Sequence, residues 1–197
     1  MKAKEETVNI NNNNASRNFF HALSSIVTNE LAENDYSEIV ITCIGTDRAT
    51  GDSLGPLVGH YLSKLIDGQA KVYGTLDNPI HAKNLDETIE HIKCTCENPL
   101  IIAIDACLGK SNHIGNINVI KGSIEPGSGV NKVLPSIGNI SITGVVNFSG
   151  FMELMVLQNT RLSMVMKMAE IISEGILKLL SYKVNGQVEF AICKEVV

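Results

Sequence analysis

The sequence holds no tryptophan, and only five phenylalanines and four tyrosines among 197 residues. So few rings leave little from which to build the stacking platforms that bind single-stranded nucleic acid. Basic residues are also in deficit: 16 Lys and Arg stand against 21 Asp and Glu, a net charge of −5. That balance excludes a surface made for sequence-independent phosphate contacts. No apolar run reaches the ~18–20 residues of a membrane-spanning helix. Lys167, Glu170 and Glu174 interrupt the most hydrophobic C-terminal stretch. Residues Met1 to Asn14 carry Lys, Glu and Asn where an export signal would be apolar. The five cysteines (43, 94, 96, 107 and 193) are odd in number, and Cys94-Thr95-Cys96 lacks the second pair that a structural zinc site needs. These absences predict a cytoplasmic protein with reduced thiols and neither nucleic-acid nor membrane partners.

What remains is ordinary globular material, 44% hydrophobic and 19% charged, with the length of about one domain. The Asn-rich stretch Asn9–Asn14 cannot bury apolar surface, so residues 1–16 are expected to form a mobile tail. A single domain is expected over residues 17–197. Phe19, Phe20, Leu23, Ile26 and Val27 recur at helical spacing as far as about Ala32. Glu38–Ile44 is β-branched and almost wholly apolar, as in a strand covered on both faces. Leu54, Leu57, Val58, Tyr61, Leu62 and Leu65 then mark an amphipathic helix, with Pro56 in its first turn.

The alternation continues through a strand at Lys71–Leu76, a helix at Leu85–Cys96 and a strand at Leu100–Ala106. Further strands are expected at Gly115–Lys121 and Ile137–Val146, separated by a loop at Ser123–Pro135. A long helical region from Gly150 to Leu180 and a short strand at Val188–Cys193 complete the pattern. Strands alternating with helices predict a three-layer α/β/α sandwich around a mostly parallel sheet.

Ligands of such sheets bind beyond the carboxyl ends of the strands. Two predicted strands deliver an acid to that edge: the first through the loop Gly45–Pro56, which contains Asp52, and another through Asp105. An aspartate closing a dry strand is costly unless hydrogen-bonded or turned to a ligand. If Asp52 and Asp105 approach one another, one can act as base toward water and the other as acid. The same pair could hold a divalent cation, and Asp52 or Ser53 could simply cap the following helix. Asn78 and His81, after the Lys71–Leu76 strand, are further pocket candidates, as is the backbone at Gly51. Cys107 is a weak nucleophile candidate without a placed histidine. His60 falls on a solvated helix face, and Met152, Met155, Met164, Met166 and Met168 are expected to fill the core.

The segments GTDRATGDSLGP, LDNPIHAKNL, IIAIDACLG, GNISITGVVN and LQNTRL, in this order, resemble the YyaC-type sporulation proteins of spore-forming bacteria. That group is similar to the germination protease of small acid-soluble spore proteins and, more remotely, to hydrogenase maturation proteases. The resemblance implies a phosphorylase/hydrolase-like α/β/α sandwich. It also implies an aspartate-dependent peptidase-like hydrolase acting on a protein or peptide substrate, with Asp52 and Asp105 as its catalytic acids. In maturation proteases the corresponding acids bind the substrate's nickel together with a histidine; no such histidine is placed here, so neither a resident metal nor a cofactor is expected. A catalytically silent binding or assembly protein, or a metal-binding maturation factor, are the alternatives within the same fold.

Overall fold

The computed structural model describes residues 5–66, 68–126 and 134–181. In chain order the elements are β1 (Glu5–Asn9), α1 (Ala15–Glu33), β2 (Glu38–Cys43), α2 (Leu54–Leu65), β3 (Lys71–Tyr73) and α3 (Leu85–Thr95). They continue with β4 (Pro99–Gly109), β5 (Asn116–Lys121), β6 (Ile140–Phe148), α4 (Glu153–Gln158) and α5 (Leu162–Ser181). The six strands form one sheet in the order β1-β5-β6-β4-β2-β3. β3, β2, β4 and β6 run parallel, and β5 alone opposes its neighbours on both sides.

Strand pleating sends successive side chains to opposite faces, and both faces are covered. Ile39, Ile41 and Cys43 of β2 join Leu100, Ile102 and Ile104 of β4 beneath α1, α2 and α5. Val40, Ile101 and Ala103 point the other way, toward Leu85 and Ile92 of α3. This double coverage is why β2 and β4 read as continuous apolar runs. Ile41, Ile102 and Ile104 are almost fully buried, each worth about 1.5–3 kcal/mol of burial. The result is the expected α/β/α sandwich with a mostly parallel sheet.

Three local expectations change. Residues 5–9 are a strand, not a tail: β1 pairs in register with β5 from Glu5↔Ile120 to Asn9↔Asn116, and Val8 and Ile10 are buried. The long C-terminal helical region is two helices, broken between Gln158 and Leu162, and its exposed Met152 and Met155 are not core residues, whereas Met168 is. The expected strand Val188–Cys193 lies outside the described residues, as do residues 127–133 of the Ser123–Pro135 loop.

Candidate active site

The turn after β2 is built by two close approaches. Gly45 has φ +135, and a Cβ there would lie 2.0 Å from the Asp52 carbonyl oxygen. At Gly55 a Cβ would lie 2.1 Å from the Ile44 carbonyl oxygen, so α2 can start directly against the end of β2 only with glycine there. Between them Thr50–Ser53 makes one 3-10 turn. Ser53 occupies the N-cap position of α2 without a side-chain cap bond; its hydroxyl donates instead to the Thr50 carbonyl at 2.7 Å. Asp52 does not cap the helix either. Its Oδ2 accepts the Thr46 N–H at 3.0 Å, folding the carboxylate back over the loop.

Asp105 sits in β4 beside Thr143 of β6, on the sheet face shared with Ile101 and Ala103. It is 8% exposed, and its Oδ1 accepts the Ala106 N–H at 2.8 Å. Just beyond, the pairing of β4 with β6 slips at Cys107/Leu108, so Leu108 faces Asn147. Such a bulge re-aims side chains at the end of a strand. Asn147 then donates through Nδ2 to the Thr160 Oγ1 at 3.1 Å and to the Val156 carbonyl at 3.3 Å, fastening α4 over the sheet edge. The sequence segments GVVN and LQNTRL thus meet in one anchor.

The chain after β3 is stitched to the same edge. Ile80 bridges Ile44, and the Gly45 N–H donates to the Ile80 carbonyl at 2.7 Å. Asn84 holds the turn by accepting the His81 N–H at 2.8 Å and donating to the Pro79 carbonyl at 3.0 Å. His81 is thereby carried to the mouth of a cavity of about 540 Å³. Asp52, His81 and Asp105 all line this cavity, together with Arg48, Lys83, Cys107 and Glu153. Ala49, Ala106, Leu108, Leu154 and Leu157 make its apolar wall. The structure therefore brings Asp52, His81 and Asp105 to one space. Asn78 is exposed and lines a neighbouring cleft that shares only His81 with the cavity. Gly51 is buried and turned to α4, where a Cβ would meet Leu157 Cδ2 and Thr160 Oγ1, each at 2.8 Å.

Burial pushes the Asp52 carboxyl up to about 6, while the Thr46 N–H and the His81 charge pull the other way. Burial likewise raises the Cys107 thiol to about 11, with Thr143 opposing and Asp105 adding to the rise, so this cysteine is a poor nucleophile at neutral pH. Among the described residues no three His, Cys, Asp or Glu groups are placed to hold a metal ion jointly; Asp52, His81 and Asp105 share the cavity without forming such a group. Arg48, Lys83, Glu153 and the α4 wall were not visible as site residues in the sequence, because only the tertiary fold brings these loops together. The one usable signal was the LQNTRL segment, whose wall-building role needs Asn147.

Residues 7–175 match the family described as a protein of unknown function, DUF1256. The chain belongs to the DUF1256 family. This DUF1256 chain is 47% identical over 154 residues to the uncharacterized protein YyaC of Bacillus subtilis (strain 168), covering 78% of the chain and 75% of that protein. Among solved structures it is similar to a [NiFe] hydrogenase maturation protease, HycI, from Thermococcus kodakarensis KOD1. That match has a TM-score of 0.50 at 16% identity and covers 79% of this chain and 99% of the other. At that identity the likeness establishes a shared fold. No helix among the described residues is long and apolar enough to cross a membrane.

Proposed function

We propose that this DUF1256 chain is a peptidase-like hydrolase acting on a protein substrate, with Asp52 and Asp105 as its acids and a role in sporulation or germination. The observation that carries the reading is that two carboxylates from different parts of the chain, Asp52 in the turn after β2 and Asp105 within β4, line one part-apolar cavity. The likeness to HycI, named as a hydrogenase maturation protease, agrees with it. With its carboxyl at about 6, Asp52 is ionised at neutral pH yet more basic than an ordinary aspartate. It removes a proton from water as the water oxygen attacks the peptide carbonyl carbon. The carbon–nitrogen bond then breaks, and Asp52 returns the proton to the leaving amine. Asp105, fixed by the Ala106 N–H, orients the water. The Thr46 and Asp52 N–H groups are already engaged, with Asp52 and Ala49 respectively, so the oxyanion is better served by the Arg48 guanidinium on the cavity wall.

Purified wild type, Asp52→Asn, Asp105→Asn and Arg48→Ala proteins incubated with small acid-soluble spore proteins, and read by mass spectrometry for new chain ends, test this. Loss of cleavage by about 1,000-fold in the two aspartate variants and about 100-fold in Arg48→Ala is expected. Equal cleavage in wild type and both aspartate variants, or no cleavage by wild type, overturns the assignment.

A further inference from the structure

From the last residue of β6 to the middle of α4 the chain exposes large apolar side chains close together in sequence. Phe148 is 47% exposed, Phe151 96%, Met152 64%, Leu154 65% and Met155 49%. Isolated exposed apolar residues are unremarkable on a protein surface, but five within eight positions make a patch of the kind that marks an interaction site. The backbone holds them there against local preference: Met152 has φ 60, a left-handed conformation that a long side chain rarely adopts. No residue of α4 is buried, and the helix is tied down by Asn147 and by Leu157 packing on Gly51.

We propose that this patch is the docking surface for an extended, apolar-rich segment of the polypeptide substrate, seated beside the candidate active site. Continuity decides the occupant. Leu154 belongs both to the exposed patch and to the wall of the cavity that Asp52 and Asp105 line. A chain seated on Phe151 and Met152 that also reaches Leu154 meets the wall of the cavity that the two carboxylates line. A second copy seated on the patch would cover Leu154 and with it the cavity wall. Against a lipid surface, α4 itself carries Glu153 and no Lys or Arg, its nearest cation along the chain being Arg161, whereas helices that lie on anionic membranes carry cations on their polar face. An unfolded segment offers apolar side chains for the patch and a backbone amide for the cavity. Met152 and Met155 suit varied side chains, because thioethers adapt to irregular partners.

The inference rests on the hydrolase reading for the identity of the cavity, and its test is kept separate from catalysis. Fluorescein-labelled, reduced and carboxymethylated α-lactalbumin is titrated with the full-length Asp52→Asn protein, and binding is read by anisotropy. The same titration follows with Phe151→Ser and Met155→Ser added together. A rise in Kd of at least about 10-fold, with an unchanged melting temperature, supports the docking surface. Binding of this kind with no cleavage by wild type sinks the hydrolase reading and leaves the docking surface standing. Equal affinity with and without the two serines overturns the proposal, as does no binding by either protein. Sedimentation showing a dimer that the serine changes dissolve assigns the patch to a second copy and overturns it. So does pelleting with phosphatidylglycerol vesicles that the serines abolish, in the absence of polypeptide binding.

Discussion

Asp52 and Thr46 are joined twice: the Thr46 N–H points at the Asp52 Oδ2 at 3.0 Å and at the Asp52 carbonyl at 3.1 Å. The carboxylate is thus drawn back over its own loop, partly out of water. Burial outweighs the single N–H and the His81 charge, which is why its carboxyl titrates at about 6 rather than near 3.8. An acid whose folded value lies above its unfolded value is protonated in the native state over a range where the unfolded chain has already lost the proton. Stability therefore falls as pH rises from about 4 to about 6, and the ionised group remains a burden above that. The separation corresponds to at most about 3 kcal/mol.

Asp52→Asn keeps an oxygen for the Thr46 N–H and removes the buried charge. Chemical denaturation at pH 7 should show the variant more stable by ~1–3 kcal/mol, with the gain gone below pH 4. A constant difference across that range, or a loss at pH 7, contradicts the burial of this charge.

The same titration governs catalysis if Asp52 is the base. kcat/KM should fall about tenfold per pH unit below roughly 6 and level off above it. A profile flat from pH 5 to 7 removes Asp52 from the base role.

The alternation of apolar strands and amphipathic helices placed β2, α2, α3 and β4 within a few residues of their observed ends, because those elements are long and bury whole faces. β1 was missed for a physical reason. It is a five-residue edge strand with one buried side chain, Val8, and the asparagines behind it dominate any compositional reading. The helix break before Leu162 was invisible because Leu157 and Val156 continue the apolar rhythm; the Asn147 anchor that stops α4 lies a turn of tertiary structure away. Asp52 and Asp105 stand out in the sequence as pocket candidates because a carboxylate beside or within a dry strand is anomalous, and both line the same cavity. The direction of Asp52 was not legible, since a cap and a backward loop bond use the same residue type.

β1 offers a direct check on that correction. Removing residues 1–9 deletes the buried Val8, strips the outer edge of β5 and loosens Ile10, whose N–H bonds the Gly115 carbonyl at 2.9 Å. The shortened protein should lose ~2–4 kcal/mol and aggregate more readily through the uncovered strand. Unchanged melting would restore the view of this segment as a tail.

Gly51 sets the seat of α4. In Gly51→Ala the new methyl meets Leu157 Cδ2 and Thr160 Oγ1, each at 2.8 Å, and the Leu157 Cα at 3.1 Å, so the helix backbone itself must move. A destabilisation of ~1–3 kcal/mol is expected from overpacking. Because Leu157 lines the cavity, KM for a polypeptide should rise with it. An alanine protein with wild-type melting and KM would show that α4 shifts without consequence for the wall.

Asp105 separates chemistry from architecture most sharply, because two substitutions divide its roles. It closes the run Leu100–Ile104, is 8% exposed, and satisfies the Ala106 N–H at 2.8 Å. Asp105→Asn retains an oxygen for that N–H, so melting at pH 7 should be equal or higher while hydrolysis is lost. Asp105→Ala removes the acceptor and should cost ~1–3 kcal/mol, with hydrolysis lost as well. A third readout is local and needs no substrate. The Cys107 thiol is raised to about 11 by burial first and by the Asp105 charge in addition, against a lowering by Thr143. Removing the charge should lower that value and speed alkylation of Cys107 by iodoacetamide at pH 8 in the asparagine protein. If Asp105→Asn instead melts substantially lower, keeps wild-type cleavage and leaves the Cys107 rate unchanged, Asp105 is a structural acid facing away from the cavity. The hydrolase reading would then lose one of its two carboxylates.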